Sequence, residues 1–250
     1  GNPWGVDPVV IAVRNEGERD RAFAPRVREA AAFWEANGEQ YLGFPVQYEV
    51  RPDAADPDLV IAFTDTLPDC GGVADAVGCA PRITDSRMID RPETVWVKTG
   101  LSNDSTTLVT EHELGHTLGL GHGDEPQSVM QARSVIYTEP QPNATERAFP
   151  WANGEFTVRV DRENASDPDG VDRQVGHTLS YYEAGAPGMA DNLSLERTDA
   201  TDATIRVQFG ATPACGASSG SCVNTYGTDP DGDGAIETYT RVEIRLVDLD

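Results

Sequence analysis

Short apolar runs alternate with polar turns in the N-terminal part of the chain and predict buried β-strands. The runs lie at residues 9–13, 46–50, 59–63 and 94–97. An amphipathic helix is predicted over residues 21–37, because Val27, Ala31 and Trp34 recur at steps of three and four residues. Gly38 is expected to end this helix, since glycine tolerates the left-handed conformation common at helix ends. The pattern indicates a sheet covered by a helix.

A second helix is predicted from about Thr106, where residues 103–105 carry side chains that can cap its first turn. Three of the four histidines of the chain lie in or just after this helix, in the stretch HELGHTLGLGH that starts at His112. Residues i and i+4 lie on the same face of a helix. His112 and His116 are therefore placed to bind one metal ion.

The residues around these two histidines can complete a metal centre. Gly119 is expected to end the helix with a left-handed turn, and the returning chain would bring His122 to the metal as a third ligand. Three neutral imidazoles leave the fourth tetrahedral position open for water, as in a catalytic zinc site. Glu113 points into the same cleft, where it can take a proton from a metal-bound water.

The whole stretch resembles the signature HExxHxxGxxH of the metzincin zinc proteases. All five positions match, and they are His112, Glu113, His116, Gly119 and His122. Metzincins also carry a methionine in a tight turn beneath the metal. Met130 follows His122 by eight residues, a gap most similar to that of the matrixin branch. Astacins and serralysins add a tyrosine ligand two residues further on, but this chain has Ala132 there.

The resemblance extends over residues 4–137 and implies an α+β fold, with a twisted mixed sheet followed by the active-site helix. It also implies a zinc-dependent metalloendopeptidase that acts on protein or peptide substrates. In such an enzyme the three histidines hold zinc, Glu113 is the general base, and Met130 packs beneath the site without binding metal. The substrate would lie extended beside an edge strand of the sheet.

A non-catalytic alternative stays open at this point, namely a zinc-stabilised binding module on the cell surface. It predicts bound zinc without hydrolysis of any peptide. The presence of Glu113 favours the enzyme, because a binding module has no need of a general base.

The segment after the methionine departs from the matrixin pattern. Matrixins follow the methionine turn with a last helix, whereas Pro140, Pro142 and Pro150 break up the corresponding segment here. The predicted divisions of the chain are a catalytic domain at residues 1–137, a linker at 138–149 and a second half-domain at 150–250.

The second half-domain repeats landmarks of the first in the same order. The matched segments are residues 150–151 with 3–4, 156–160 with 9–13, 181–184 with 33–36, 197–202 with 51–56, 204–209 with 58–63, 213–216 with 68–71 and 237–238 with 93–94, and Cys222 follows Cys215 much as Cys79 follows Cys70. The copy ends about where the first copy begins its zinc helix, so we predict a truncated, non-catalytic repeat of the sheet-plus-helix unit. Two unrelated α+β segments are the alternative, and an all-β second half would refute the duplication.

The four cysteines form two close pairs, Cys70 with Cys79 and Cys215 with Cys222. Their even number and local spacing favour two small disulfide loops and an oxidising compartment. No signal peptide is visible, but the start at Gly1 is typical of a chain whose leader has been removed. No apolar run reaches the roughly 20 residues that span a bilayer. We expect an extracellular or cell-surface protein with no membrane span in this chain.

The net charge of −23 arises from 42 acidic and 19 basic residues, and Lys98 is the only lysine. This acidic, lysine-poor composition resembles that of haloarchaeal proteins, in which high salt screens the repulsion between carboxylates. An ordinary acidic mesophilic protein is the alternative. The charge argues against nucleic acid as a partner, since phosphates would be repelled.

Asp229, Asp231 and Asp233 resemble the start of an EF-hand-type calcium loop. The last position of such a loop is Thr240, where a bidentate glutamate belongs, so an acidic turn is the favoured interpretation and Ca²⁺ a secondary one. A calcium-binding adhesion domain would need this loop to bind metal and the histidines to bind none. His177 lacks a second histidine at metal spacing and is predicted to be an ordinary helix residue.

Overall fold

The chain forms two units, residues Gly1–Pro140 and Gln141–Asp250, in a computed structural model that describes residues 1–71, 75–190, 192–210 and 220–247. The boundary between the units falls within the predicted linker. The finer domain limits given above remain a prediction.

Five strands of the first unit form one mixed sheet. They are β1 (Val9–Asn15), β2 (Tyr48–Val50), β3 (Leu59–Thr64), β4 (Gly78–Cys79) and β5 (Glu93–Lys98). Their order across the sheet is β2-β1-β3-β5-β4, and all neighbours are parallel except β4, which runs antiparallel to β5 at the edge. The apolar runs at residues 9–13, 59–63 and 94–97 form the three central strands β1, β3 and β5, whereas the run at 46–50 contributes the edge strand β2, which is only partly buried.

Two helices of the first unit share its main hydrophobic core, α1 (Ala24–Leu42) and α2 (Asn103–Thr117). Trp34 of α1 is fully buried, and its indole N–H donates to the backbone carbonyl of Glu111 in α2 at 2.8 Å. This hydrogen bond satisfies the one polar group of a large buried side chain. It also fixes α1 against the helix that carries the histidines.

Three of the helix limits predicted in this unit were wrong, namely both ends of α1 and the start of α2. Helix α1 begins at Ala24 and continues through Gly38, which is buried inside it. A side chain at Gly38 would meet the backbone oxygen of Phe44 at 3.2 Å, so close packing explains this glycine. The helix ends instead at Gly43, whose φ of 73° is left-handed. Helix α2 begins three residues earlier than predicted.

The start of α2 is capped by Ser102 and not by residues 103–105. The side chain of Ser102 accepts the backbone N–H of Ser105 at 3.2 Å. Serine is a preferred residue at this position because its oxygen can bond the free N–H groups of the first turn. Residues 103–105 lie within the helix instead of preceding it.

After the short helix α3 (Gln127–Met130), residues 131–143 contain no helix. Thr138 forms an isolated β-bridge with Leu101, and the N–H of Glu139 donates to the carbonyl of Gly100 at 2.9 Å. A 3-10 helix follows at Ala144–Glu146. The predicted absence of a last helix at this point is thus observed.

In its described residues, the second unit has one α-helix, α4 (Pro168–Glu183), and five strands. The strands are β6 (Glu155–Asp161), β7 (Ser194–Arg197), β8 (Ile205–Gly210), β9 (Ser221–Thr228) and β10 (Thr238–Val247). Their order is β7-β6-β8-β10-β9, and only β9 is antiparallel to its neighbour. The order, the directions and the place of the helix repeat those of the first unit. The fold is α+β, as predicted, and the second half is not all-β.

The strand register corrects one of the matched landmarks. Leu59 pairs with Glu93, and the equivalent Ile205 pairs with Val242, so Glu93 corresponds to Val242 and not to Glu237. The mismatch arises because β10 begins at Thr238 and is longer than β5.

No helix in the described residues combines the length and apolar character needed to cross a membrane.

Candidate metal centre

Helix α2 places His112 and His116 one turn apart on the face that lines a cleft. Their Nε2 atoms lie 3.1 Å from each other. Both rings are partly buried, and burial is the main cause that lowers the pKa of each imidazole. Both histidines are therefore neutral near pH 7, as metal binding requires.

A turn after α2 brings the third histidine to the first two. Gly119 has a φ of 98°, and the N–H of Leu120 donates to the carbonyl of Gly115 at 3.0 Å. This is the left-handed helix end that the glycine predicted. The ring centroid of His122 then lies 5.1 Å from that of His112 and 5.0 Å from that of His116. One ring nitrogen from each histidine lies within 4.8 Å of the others.

Backbone carbonyls fix the orientation of two of the rings. The Nδ1 of His112 lies 2.7 Å from the carbonyl oxygen of Val129, and the Nδ1 of His116 lies 2.8 Å from that of Leu120. A carbonyl oxygen can only accept, so each Nδ1 carries the proton and donates it. Each Nε2 is left with a free lone pair that faces the shared centre.

The loop that carries His122 is held by several polar contacts. The side-chain amide of Gln127 donates to the carbonyl of His122 at 3.2 Å, and the N–H of Gly121 donates to Asp124 at 2.7 Å. Arg82 donates to the carbonyl of Gly119 at 2.8 Å. These contacts hold the turn in place, although His122 itself is exposed.

Glu113 lies next to the first histidine and is almost fully buried, with 5% of its surface exposed. Burial raises the pKa of its carboxyl to about 8. The backbone of β4 covers it so closely that a side chain on Gly78 would lie 2.8 Å from both Cγ and Cδ of Glu113. A buried carboxyl with a raised pKa is typical of a group that exchanges protons near neutral pH.

Met130 lies in the core directly under the histidine helix. It is fully buried, and a side chain on Gly115 would collide with its thioether, reaching 3.1 Å from its Cε. Gly115 lies between the two histidines of α2, so the absence of its side chain lets the methionine pack against the helix backbone.

The cleft above the three histidines has a volume of about 630 Å³. Residues 75–80, which include β4, line one side, and residues 131–134 line another. The second wall belongs to the segment after the methionine, where the sequence departs from the matrixin pattern. This segment has neither helix nor strand, and it includes Ala132.

The donor set fits zinc. Three imidazole nitrogens converge, and the open side of the group faces the cleft. Imidazole is a common zinc ligand, and three protein ligands with an open position are typical of catalytic zinc. Glu113 lies in the same cleft and is the only buried carboxyl among its lining residues.

The other predicted site residues are the four cysteines and His177. Cys70 and Cys79 form a disulfide, with a Cα–Cα distance of 5.9 Å. Cys222 lies in β9, but Cys215 lies outside the described residues, so their pairing remains a prediction. His177 is exposed on α4 and belongs to no candidate metal group among the residues described.

Three functional features were missed from sequence alone. The closeness of Gly78 to Glu113 and the carbonyls of Val129 and Leu120 depend on how distant segments pack, so no local signal marks them. Glu237 was missed for another reason. One of its carboxylate oxygens lies within 4.8 Å of those of Asp229, Asp231 and Asp233. The EF-hand pattern instead predicts the glutamate ligand at position 240.

The fold and this centre together define a protein of the metzincin type. The matrixin family model matches residues 21–146, half of the chain, and the chain belongs to the matrixin family. The family implies zinc as the metal and peptides as substrates.

Among solved structures, myroilysin matches with 16% sequence identity over 49% of this chain and 45% of the myroilysin chain, at a TM-score of 0.31. The chain thus spans less than half the length of myroilysin. No curated protein matches the chain by sequence.

Proposed function

We propose that this chain is a zinc-dependent metalloendopeptidase in which His112, His116 and His122 hold the metal and Glu113 is the general base. The observation that carries the proposal is the convergence of three imidazole nitrogens beside a buried glutamate in one cleft. The two carbonyl partners of His112 and His116 support it, because they direct the Nε2 lone pairs to one point.

The hydrolytic step follows from the position of Glu113. Zinc, when bound, would lower the pKa of a water ligand to about 7 and polarise the peptide carbonyl. Glu113 takes a proton from the attacking water as the water oxygen forms its bond to the carbonyl carbon. The same carboxyl then gives the proton to the amide nitrogen as the C–N bond breaks. The low polarity around this buried carboxyl raises its pKa, which makes the carboxylate a stronger acceptor for the water proton.

An extended peptide is the proposed substrate, bound beside β4. This strand is at the edge of its sheet and pairs with β5 on one side only. Its other side borders the cleft, next to Glu113. A peptide placed there can add backbone hydrogen bonds to the sheet edge. An extracellular or surface location agrees with the disulfide between Cys70 and Cys79, since disulfides persist in oxidising compartments.

We further propose that the second unit is a non-catalytic duplicate of the first half of the catalytic unit. The shared strand order supports this proposal. His177 is the only histidine after residue 122, so the second half cannot supply a second centre of three histidines.

Hydrolysis of casein by wild type and Glu113→Ala, with zinc content measured on both, tests the proposed mechanism. We expect both proteins to hold zinc and the variant to lose activity by roughly 10²–10⁴-fold. His116→Ala should lose both zinc and activity.

Glu111→Gln is a matched control on the same helix. Glu111 does not line the cleft, and burial together with Glu29 of α1 raises its pKa to about 7. This variant should keep zinc and activity. If wild type holds zinc and cleaves nothing, the enzyme proposal fails and the zinc-stabilised binding module replaces it.

A further inference from the structure

The loop between β9 and β10 gathers four carboxylates from a short stretch of chain. They belong to Asp229, Asp231, Asp233 and Glu237, and one oxygen of each lies within 4.8 Å of the others. No arginine or lysine forms an ion pair with any of the four in the described part of the chain. The negative charges are thus brought together without a protein cation.

The backbone of this acidic loop, residues 229–237, is wound around the first aspartate. The carboxylate of Asp229 accepts the N–H of Gly232 at 2.7 Å and that of Gly234 at 2.9 Å. Both glycines have left-handed backbones, with φ of 75° and 90°. These turns direct the three aspartate side chains toward one side of the loop.

Glu237 is the unusual member of the group. Its side chain has no exposed surface, and neither carboxylate oxygen has a hydrogen-bond partner. Burial and the neighbouring charges of Asp231, Asp229 and Asp233 all raise its pKa. Burying a carboxylate without a partner is costly, and protein structures rarely leave such a group unsatisfied. The missing partner must fit among four carboxylates, which describes a cation.

We propose that the acidic loop is a calcium site in which Glu237 supplies the fourth carboxylate beside Asp229, Asp231 and Asp233. Ca²⁺ is a hard cation that takes six to eight oxygen ligands in flexible geometry. The site differs from an EF-hand loop, because the acidic residue stands at the ninth position, Glu237, while the twelfth is Thr240. This site lies in the second unit and is independent of the proposed protease centre.

A filled calcium site would also stabilise residues 141–147, with which the second unit begins. Asp231 accepts the backbone N–H of Gln141 at 2.8 Å, and the carbonyl of Ile236 accepts the N–H of Ala144 at 2.6 Å. Bound Ca²⁺ would neutralise the loop and strengthen its hold on residues 141–147. We therefore expect Ca²⁺ to slow hydrogen exchange in the loop and in this segment together.

Isothermal titration calorimetry with CaCl₂ tests the proposal on the full chain. The protein carries Glu113→Ala to prevent self-digestion. All metal is first removed with a chelator, and one equivalent of zinc is then added back. NaCl held at a high, fixed concentration screens non-specific binding to the acidic surface. We expect one calcium site, weaker binding of Mg²⁺, and a loss of calcium affinity of roughly tenfold or more in Glu237→Gln. Asp233→Asn, at an exposed position, should weaken binding as well.

Glu155→Gln is the control, since this exposed glutamate of β6 gives the same charge change away from the loop. It should leave calcium affinity unchanged. Without calcium, Glu237→Gln should melt at the same or a higher temperature than its parent, because repulsion is relieved. With calcium, it should melt at a lower temperature. Absence of calcium binding, equal affinity for Mg²⁺, or unchanged affinity in Glu237→Gln would overturn the proposal.

Discussion

At the scale of single residues, the contact between Gly78 and Glu113 explains how the proposed base is held. The strand backbone lies against the carboxylate side chain with no room for even a methyl group. Glycine removes that obstacle, and the strand in turn excludes water from the carboxyl. The same contact accounts for the burial that raises the pKa of Glu113.

Gly78→Ala should therefore reduce activity more than stability. The new methyl group would displace a movable side chain, so the free energy of unfolding should fall by only about 1–3 kcal/mol. Displacing the carboxyl from the attacking water should lower kcat by roughly 10- to 100-fold. Zinc content should not change, since the three histidines are untouched. Steady-state kinetics and metal analysis on the same samples measure both effects.

Gly123→Ala provides the comparison for this substitution. A side chain at Gly123 would meet nothing within 4 Å, although the residue follows His122 directly. We expect its kcat to equal that of wild type. A Gly78→Ala protein with normal kcat would show that the position of Glu113 does not depend on this contact.

The placement of single residues was predictable from sequence where local geometry decides it. The spacing of His112, His116 and Gly119 is set by helix geometry and a left-handed turn, and the structure places all three as that geometry requires. The role of Gly78 depends on a contact between distant segments, which spacing along the chain does not record. Glu237 stands at the ninth position of its loop, whereas the EF-hand pattern predicts a glutamate at the twelfth.

At the scale of elements, β4 is the weakest part of the cleft. It has only two residues, Gly78 and Cys79, and pairs with a single neighbour. The disulfide from Cys79 to Cys70 ties this strand to the preceding loop. Because the proposed substrate adds to the same strand, the disulfide is expected to support substrate binding.

Replacing both cysteines, as in Cys70→Ser/Cys79→Ser, should raise KM more than it lowers kcat. The unconstrained loop would let β4 leave the sheet edge for part of the time, and the free energy of unfolding should fall by about 2–4 kcal/mol. Peptide kinetics and denaturant unfolding test both expectations. Zinc content serves as the internal control and should be unchanged. Equal KM in the two proteins would contradict a role of β4 in binding substrate.

Element-scale predictions were good for strands and poorer for helix ends. The central strands are continuous apolar runs buried in the sheet, so composition alone identifies them. The end of α1 was misplaced because Gly38 serves close packing and Gly43 serves the turn, two roles that the sequence alone cannot separate. The shift at Val242 was missed because β10 is extended relative to β5, which only pairing reveals.

At the scale of the whole molecule, the two units share a strand order but not a comparable core. Of the described apolar side chains that are buried, 24 lie in the first unit and seven in the second. Helix α4 buries none of its residues, whereas α1 buries five. Apolar burial is the main stabilising contribution to folding. The second unit therefore gains less stabilising free energy to offset the repulsion between its charged side chains.

We therefore expect two thermal transitions, with the second unit unfolding first and depending more on salt. The chain carries a net charge of −23, and the distance over which charges interact falls from about 10 Å at 0.1 M to about 3 Å at 1 M salt. Raising NaCl over this range should increase the lower melting temperature by roughly 5 °C or more. Calorimetry measures the transitions, and hydrogen exchange assigns them to β6–β10 or to β1–β5. A single transition that salt does not move would contradict the link between core size, charge and stability.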